Sequence, residues 1–265
     1  MTPRISAIVL NYRSPRDTLK CIAALLQQTM VEQLEILVVY NHSYDESFQW
    51  IRNRYPHHPQ VKIFETPKNL GYGQGNDLAI RAAAGDYILI INPDNQLAED
   101  GLERMVLAME RDKSLGILSP KLLHPDGTVR ESARRFPRLT DVFLKRTVFH
   151  RFFRERLDVY LQHNEDPNRV REVDWVAGAC MLLRKDLYEK IGGFDPQFFL
   201  FFEDTDLCRR VWAEGKKVVY FPLASATDAK HRLSEGGMLS FFTKKTMRIH
   251  TVSAMKYFWK WRGKA

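Results

Sequence analysis

Two acidic motifs hold the side chains best suited to catalysis or metal binding. Asn92-Pro93-Asp94 follows the apolar run of residues 87–91, and Glu203-Asp204 opens a segment with helical spacing. A carboxylate in a polar loop, such as that of Asp94, can hold Mg²⁺ or Mn²⁺, and the cation can bridge diphosphate oxygens and neutralise a leaving nucleotide. The sequence Asn-Pro-Asp-Asn also favours a simple turn. From these residues alone, both interpretations of Asp94 stay open.

The second motif places three carboxylates, those of Glu203, Asp204 and Asp206, behind the aromatic run of residues 198–202. Apolar walls and neighbouring acids can tune the pKa of such a carboxylate for work as a general base. Acidic residues are also typical of the first turn of a helix, where they meet the positive end of its dipole. Adjacent side chains on a helix diverge by about 100°, so at most one of Glu203 and Asp204 is expected to face a reacting centre.

A glycine-rich segment and a histidine complete the candidates. Gly71, Gly73 and Gly75 alternate within residues 69–76, just before a predicted helix. Such glycines can let backbone N–H groups approach a phosphate or a sugar, and a plain glycine loop fits the spacing as well. The spacing matches neither a Walker loop nor a dinucleotide-binding fingerprint. His231 follows the last predicted strand and could complete a metal site or hold a phosphate, whereas a lone loop histidine is commonly just solvated.

The elements that must position these residues alternate between strand and helix. The apolar, β-branched segments predicted as buried strands are residues 5–10, 34–39, 61–64 and 87–91. The amphipathic segments between them are residues 16–29, 44–54 and 74–84. This order predicts an α/β fold with a mostly parallel sheet and helices on both faces. Ligands bind such sheets at the carboxyl ends of the strands, so the loops that begin at Asn11, Asn41 and Asn92 should open on one rim.

The rest of the chain is less regular. The further predicted elements are a helix at 99–111, strands near 116–119, 173–184 and 218–221, a helix from about residue 203, and a helix-compatible tail at 238–261. Residues 130–156 are the least predictable segment, because nine Lys or Arg residues and several phenylalanines are mixed there without a clear period. No internal repeat separates the chain into copies.

The composition bounds the class of protein. With 45% apolar residues in 265, the chain can bury a sizeable core and is far from the composition of a disordered segment. Its three cysteines, Cys21, Cys180 and Cys208, are widely spaced, which argues against a disulfide framework and favours a reducing compartment. The first apolar run, of about six residues, is too short for a signal peptide or a membrane span. We therefore expect a cytoplasmic location.

The net charge of +8 is unevenly distributed. Residues 229–265 hold nine basic residues and one acidic residue, so the first 228 residues balance 31 basic against 31 acidic residues. An excess of this kind suggests an anionic partner. Tyrosine, phenylalanine and tryptophan side chains beside the lysines and arginines suit an anionic membrane surface, and they suit equally a helix that docks on the protein with a charged outer face. No recognised nucleic-acid module accompanies the tail, so nucleic acid is not expected as a partner.

In their order along the chain, these motifs resemble the inverting glycosyltransferases of family 2, which have the GT-A fold. The matching motifs are Asn11-Tyr12, Gln28-Thr29, Asn41-x-Ser43-x-Asp45, Asn69-x-Gly71-x-Gly73-x-Gly75-Asn76, Asn92-Pro93-Asp94, Gly178-Ala179-Cys180-Met181, Gly192-Gly193-Phe194-Asp195 and Glu203-Asp204-x-Asp206. Each motif is weak, but the ordered set covers nearly the whole chain. The segments Arg135-Phe136-Pro137 and Val173-Asp174-Trp175 look most like the branch that contains dTDP-L-rhamnose transferases of bacterial O-antigen and cell-wall polysaccharide assembly.

The resemblance implies roles for single residues. It makes Asp204 the catalytic base and Asp94 the metal-binding carboxylate, with His231 able to complete the site for Mg²⁺ or Mn²⁺. Glu203, Trp175 and Gly178 would border the acceptor, which is expected to be a saccharide linked to a polyprenyl lipid. The residues implied to contact the nucleotide-sugar donor are Asn11, Arg13, Tyr40, Asn41, Ser43, Gly73, Asn76 and Asp94.

The resemblance also implies a division of the chain. One GT-A domain would contain a nucleotide-sugar-binding half in residues 1–125, an acceptor-binding and catalytic half in 126–235, and a basic aromatic helix in 236–265, which could hold the enzyme peripherally on the membrane. One residue departs from the family pattern: Tyr40 stands where an Asp usually contacts the nucleoside. Tyrosine can stack on a base or donate a hydrogen bond but cannot replace a carboxylate. The first alternative is a protein with the glycosyltransferase fold that binds its ligand without catalysis. A sugar nucleotidyltransferase is a second alternative, which the sequence favours less.

Overall fold

The computed structural model of the protein describes residues 4–144, 154–228 and 245–263. Its first part alternates strands and helices as the sequence predicts. The elements are β1 (Ile5–Asn11), α1 (Pro15–Leu25), β2 (Leu34–Tyr40), α2 (Ser47–Arg54), β3 (Val61–Glu65), α3 (Tyr72–Ile80), β4 (Tyr87–Ile91), β5 (Asn95–Leu97), α4 (Gly101–Arg111) and β6 (Leu115–Leu123). Helix α1 stops at Leu25, four residues before the predicted end. Beyond it the N–H groups of Gln27 and Gln28 bond three residues back, to Ala24 and Leu25, so the α-helical pattern ends. The buried Gln28 amide then donates to the carbonyl of Ala98 at 3.0 Å.

The second part contains shorter elements. They are β7 (Ala133–Arg134), α5 (Leu139–Leu144), α6 (Arg154–Leu161), β8 (Arg171–Glu172), β9 (Trp175–Val176), β10 (Cys180–Arg184), α7 (Lys185–Lys190), α8 (Glu203–Ala213), β11 (Lys217–Asp228) and α9 (Lys245–Lys260). The prediction of a single strand over residues 173–184 is wrong. A turn separates β9 from β10, and the two strands join different sheets. Strand β11 is longer than predicted, since it continues past a bulge to pair with β5.

One large sheet joins the two parts of the chain. Its strand order is β3-β2-β1-β4-β10-β6-β11-β5, with β8 also on β11. Strands β1 to β4 pair in parallel, and β10 runs antiparallel between β4 and β6. Strands β7 and β9 form a separate two-stranded sheet. The mostly parallel mixed α/β fold that the sequence predicts is therefore confirmed, and the turn before β10 lies beside the loop after β4.

Side chains alternate across the sheet and build a core on each face, as the two-residue period of a strand requires. Ile5, Ala7 and Val9 of β1 pack on one face, where α1 and α4 cover them, while Ile8 and Leu10 pack on the other, under α3 and α8. The three cysteines are free and buried, which agrees with core packing for Cys180. Burial raises the pKa of the Cys180 thiol to about 12.

Helix α9 docks on the start of α8. Tyr257 is fully buried and packs with Phe198, Phe202 and Ala254 in a third apolar cluster. The Ser253 hydroxyl donates to the carbonyl of Leu200 at 2.8 Å. The docked arrangement expected as one of two alternatives for the tail therefore holds for residues 245–260, whereas His231 and the rest of 229–244 lie outside the described residues.

Candidate active site

The loops after β1, β2 and β4 open on one rim, as predicted for the carboxyl ends of parallel strands. The N–H of Asn41 donates to the carbonyl of Asn11 at 3.0 Å, which ties the first two loops together. The N–H of Asn92 donates to the carbonyl of Ala179 at 2.8 Å. This second bond links the loop after β4 to the turn before β10, and so brings the two halves of the chain together at the rim.

The loop after β1 is built around Asn11, which is fully buried. Its Oδ1 accepts hydrogen bonds from the N–H of Ser14 at 3.3 Å and the hydroxyl of Thr18 at 3.1 Å. Its Nδ2 is buried and has no partner among the described residues, so this amide still has a donor to offer at the rim. Arg13 adopts a left-handed conformation, with φ at 56°, and its Nε donates to the carbonyl of Ser43 at 3.3 Å.

Tyr40 is a buried residue, and its hydroxyl donates to the carbonyl of Asp45 at 3.3 Å. The Asp45 carboxylate accepts bonds from the Ser43 hydroxyl at 2.9 Å and the Ser47 N–H at 3.1 Å. Partial desolvation opposes ionisation, but these bonds and the nearby charge of Arg13 lower the pKa of Asp45 below its ordinary value. The residue that accepts the Tyr40 hydroxyl bond through its backbone carbonyl is thus itself an exposed acid.

The glycine-rich segment is held in place by hydrogen bonds and by close packing within the protein. Asn41 holds it, because its Oδ1 accepts from the N–H of Leu70 at 2.9 Å and its Nδ2 donates to the carbonyl of Gly71 at 3.0 Å. Gly71 has φ at 83°, and a Cβ there would lie 2.2 Å from the Phe199 carbonyl oxygen. The backbone N–H groups of residues 70, 71 and 72 all bond within the protein, so none of these three remains for a phosphate.

Gly73 and Asn76, also implied to contact the donor, lie within α3 and contact protein. A Cβ on Gly73 would lie 2.9 Å from Cβ of Phe194, so the glycine permits close packing of α3. Asn76 is buried, and its Nδ2 donates to the carbonyl of Tyr72 at 2.9 Å. Direct donor contacts of Gly73 and Asn76 stay a prediction, while their part in holding α3 at the rim is visible in these contacts.

Asp94 is half-buried at the rim. Among the described residues its carboxylate accepts one long hydrogen bond, from Asn95 Nδ2 at 3.4 Å. The buried Oδ1 of Asn95 has no partner in the described part of the chain. Oxygen atoms with free lone pairs suit a hard divalent cation. No group of three His, Cys, Asp or Glu side chains forms a complete metal cage within residues 4–144, 154–228 and 245–263.

Asp204 lies in the first turn of α8, where a backbone contact connects it to Gly178. The Gly178 N–H donates to Asp204 Oδ2 at 3.0 Å, and the Thr205 N–H donates to Asp204 Oδ1 at 2.7 Å. The Gly178 carbonyl in turn accepts a hydrogen bond from the Tyr72 hydroxyl. Since Ala179 bonds the loop that carries Asp94, one short turn connects the two carboxylates.

Glu203 and Asp204 are both affected by burial but differ in the groups that oppose its effect on their pKa values. Desolvation raises the pKa of both carboxyl groups, and the neighbouring Asp204 charge raises that of Glu203 further. For Asp204 the N–H bonds from Gly178 and Thr205 and the charge of Arg134 oppose this rise. Glu203 Oε2 is buried and has no partner among the described residues. The pair therefore divides its roles, because Glu203 holds the proton more tightly and Asp204 carries the negative charge more easily.

The backbone before α8 is strained. Phe201 and Phe202 both have φ at 69°, in the left-handed region that aromatic residues rarely adopt. Strain of this kind persists only where surrounding packing enforces it, and it concentrates at functional sites. Here Tyr257 of α9 packs on Phe202, with ring centroids 5.3 Å apart. The packing of α9 thus supports the turn that presents Glu203 and Asp204.

Two residues at the site, Tyr72 and Arg134, are not among those that the sequence predicts. Tyr72 lies inside the glycine-rich motif, and its bond to Gly178 could not be read from spacing. Arg134 lies in the irregular basic segment, yet its charge opposes the rise that burial causes in the pKa of Asp204, and its guanidinium carbon lies 5.0 Å from the Trp175 ring. Trp175 itself is buried, and its Nε1 donates to the Arg135 carbonyl at 2.8 Å. Its contact with an acceptor stays a prediction.

Comparison with known proteins decides the family. The model of glycosyl transferase family 2 matches residues 6–192. The chain belongs to this family. A second model, described as the N-terminal domain of galactosyltransferase, matches residues 155–234 of the glycosyltransferase. The resemblance inferred from the ordered motifs is confirmed.

Among the similar proteins, N-acetylglucosaminyl-diphospho-decaprenol L-rhamnosyltransferase of Mycobacterium tuberculosis is 30% identical over 87% of this glycosyltransferase and 77% of its own length. Rhamnosyltransferase WbbL of Escherichia coli K12 is 29% identical over 71% of the chain and 69% of its own length. The solved structure of GalNAc-T7 with UDP, GalNAc and Mn²⁺ shares the fold, with a TM-score of 0.65 at 13% identity over 89% of this chain and 45% of that one.

Proposed function

We propose that this glycosyltransferase moves L-rhamnose from dTDP-L-rhamnose, with inversion, onto a hydroxyl of a saccharide carried by a polyprenyl diphosphate, in bacterial polysaccharide or lipopolysaccharide biosynthesis. The observation that carries the proposal is the meeting of Asp94 and Asp204, 110 positions apart in the sequence, on the two sides of the turn at Gly178 and Ala179. Support for the sugar and the acceptor comes from the relatives that are named as rhamnosyltransferases.

Asp204 has the properties of the base in such a reaction. The residue is half-buried, and bonds from Gly178 and Thr205 fix the orientation of its carboxylate. The acceptor hydroxyl becomes acidic only as its oxygen attacks the anomeric carbon, so the position of the base matters more than its ground-state strength. Asp204 takes that proton while the bond from the anomeric carbon to the diphosphate oxygen breaks on the opposite face of the sugar.

Asp94, with His231 as a further candidate, would hold Mg²⁺ or Mn²⁺ at the donor side. The cation supplies positive charge that stabilises the departing nucleoside diphosphate. The uncommitted oxygens of Asp94 and Asn95 support this assignment, and the similar structure of GalNAc-T7 holds Mn²⁺ with UDP. Asn11, Arg13, Asn41, Ser43 and Tyr40 would form the nucleoside side of the same rim.

The outer face of α9 supports a peripheral place on an anionic membrane. Its exposed apolar side chains are Val252, Met255 and Trp259, which follow one another at helical spacing, and Arg248, Lys256 and Arg262 lie beside them. Interfacial helices combine such an apolar stripe with basic residues. No helix among the described residues has the length and apolar character needed to cross a bilayer.

The deciding experiment is a screen of nucleotide-sugars for release of nucleoside diphosphate, with and without Mn²⁺ and with a lipid-linked saccharide acceptor. We expect dTDP-L-rhamnose with metal to give the highest rate. Asp204→Asn should bind the donor as wild type does and lose about 100- to 10,000-fold in transfer, the usual contribution of a general base. Full transfer by Asp204→Asn would refute its assignment.

The matched control is Asp186→Asn, which removes a carboxylate from the first turn of α7, away from the rim. It should transfer rhamnose at the wild-type rate. Binding of dTDP in a thermal-shift assay without turnover of any donor would instead favour a binding module that has lost catalysis, the alternative that Tyr40 raises.

A further inference from the structure

A basic cleft lies outside the rim, between the β7 segment and helices α5 and α6. Its volume is about 640 Å³. The charged side chains that line it are Arg135, Arg138, Arg156, Arg209, Asp141 and Asp174. Four arginines and two aspartates leave two positive charges in excess. The proposed function assigns no role to these six side chains.

The two aspartates accept hydrogen bonds from backbone N–H groups. Asp174 Oδ2 accepts from the N–H of Phe136 at 2.7 Å, and Asp141 Oδ2 accepts from the N–H of Arg138 at 2.9 Å. Asp141 also pairs with Arg156 at 2.8 Å, whereas Arg135 is 3.7 Å from Asp174. The carboxylates therefore shape the wall of the cleft, and Arg135 and Arg138 keep exposed guanidinium groups for a ligand.

Arg209 is held in place by aromatic rings. Its guanidinium carbon lies 5.1 Å from the ring centre of Phe136 and 4.7 Å from that of Trp261. Stacked arginines lose little freedom when they bind, and their planar donors match phosphate oxygens in pairs. A cleft with several arginines, one of them preorganised, has the chemistry of a phosphate or diphosphate site.

The cleft adjoins the catalytic base. Arg134, the last residue of β7, lies within electrostatic reach of Asp204, whereas the next residue, Arg135, lines the cleft. Tyr160 lines the cleft as well, and both Arg134 and Asp204 influence its pKa. On the far side, Trp261 beyond α9 packs on Arg209. The cleft thus lies between the base and the helix that we assign to the membrane.

We propose that this cleft binds the diphosphate of the lipid-linked acceptor, with Arg135, Arg138 and Arg209 on its oxygens. The inference rests on the proposed function, in which the acceptor sugar lies at Asp204 and its lipid in the bilayer. The donor diphosphate has a separate place at Asp94, across the turn at Gly178 and Ala179. An acceptor that carries its own diphosphate needs a second anionic site, and the cleft supplies it on the acceptor side.

The test compares Arg135→Gln/Arg138→Gln with the control Arg111→Gln/Arg169→Gln, which removes the same charge from exposed positions outside the cleft. Transfer is measured with two acceptors, N-acetylglucosaminyl-diphospho-lipid and an alkyl N-acetylglucosaminide without phosphate. For the cleft variant the KM for the diphosphate acceptor should rise about 10- to 100-fold, the effect of losing charge-assisted bonds. The KM for the donor, and the KM for the acceptor without phosphate, should match those of the control.

Binding of farnesyl diphosphate, measured by calorimetry with the donor site filled by dTDP and Mn²⁺, separates this inference from the proposed function. If the wild type binds it and the cleft variant does not, the cleft assignment stands even in a protein that transfers no rhamnose. If the enzyme transfers rhamnose but the two variants share one KM for the diphosphate acceptor, the assignment is wrong. It is also wrong if the cleft variant loses binding to phosphatidylglycerol vesicles and nothing else, because the arginines then contact lipid headgroups.

Discussion

At the scale of single residues, the paired carboxyl groups of Glu203 and Asp204 have different environments. Three hydrogen bonds from Gly178 and Thr205 stabilise the charge of Asp204. Glu203 is buried, and its Oε2 has no partner in the described part of the chain. The two adjacent acids of one helical turn thus differ: hydrogen bonds favour the ionised form of Asp204, whereas burial and the neighbouring Asp204 charge raise the pKa of Glu203 well above its usual range.

The substitution Glu203→Gln tests this division. A group whose pKa is raised by folding adds stability below its unfolded pKa, and that contribution disappears as pH rises through the folded pKa. Glutamine stays neutral, so the variant should gain stability relative to wild type as pH increases from 5 to 9. Transfer should stay within about tenfold of wild type, since no interaction above about 1.4 kcal/mol is lost. Thermal denaturation across pH and initial rates check both points.

A growing stability deficit of Glu203→Gln at high pH would mean that Glu203 works as a buried anion. The companion variant Glu189→Gln, on α7, replaces a largely exposed glutamate whose side chain is 64% accessible. It should show the pH dependence of wild type, which assigns any change to Glu203.

At the scale of elements, α9 is joined to α8 through one fully buried carboxylate. Asp206 accepts from Arg210 Nε at 2.9 Å, from Trp261 Nε1 at 2.8 Å and from Lys260 Nζ at 2.7 Å. The pair with Arg210 has the four-residue spacing of neighbours on one face of a helix, which sequence spacing can show. Such spacing cannot show the partners from the tail, because they lie more than 50 positions away.

Asp206→Asn should destabilise the protein by about 3–5 kcal/mol, because removing one member of a buried ion pair leaves its cationic partner uncompensated. Asp195 is the matched comparison, since it bonds the same Lys260 at 2.6 Å from a position that keeps 22% of its side chain accessible. Asp195→Asn should cost about 1 kcal/mol or less. Chemical denaturation gives both values. Equal losses for the two variants would show that Asp206 does not hold α9.

At the scale of the whole molecule, the two sides of α9, the helix of the basic tail, have different surroundings. Tyr257, Ala254 and Met247 bury one side of α9, while Val252, Met255 and Trp259 leave an apolar stripe in solvent. Deleting the helix would therefore remove core packing along with any membrane contact. Substitution of the stripe alone separates the two effects.

Met255→Gln/Trp259→Gln should weaken flotation with phosphatidylglycerol vesicles by tenfold or more, since burying a large apolar side chain contributes about 1.5–3 kcal/mol. The control is Trp50→Gln/Leu107→Gln, which removes an exposed tryptophan and an exposed aliphatic residue from α2 and α4. The control should float as wild type does. If both variants float equally, α9 does not contact the membrane.

The sequence by itself determined the parallel core and its rim. Apolar runs and turn residues are local signals, and the carboxyl ends of parallel strands must share an edge, so the loops at Asn11, Asn41 and Asn92 followed from chain order alone. The ordered motifs also determined the family. Boundaries were predicted less closely, as at α1, which ends at Leu25 instead of residue 29.

Only the tertiary structure decided how the two parts of the chain meet. Strand β10 enters the sheet antiparallel between β4 and β6, a choice that depends on pairing across distant segments and leaves no local mark. That insertion brings Gly178 to Asp204 and Tyr72. It also brings the irregular basic segment beside Asp204, where Arg134 lies near the carboxylate and Arg135 lines the cleft. Spacing along the chain carries no record of such approaches, because side chains far apart in sequence meet only when the sheet has closed around them.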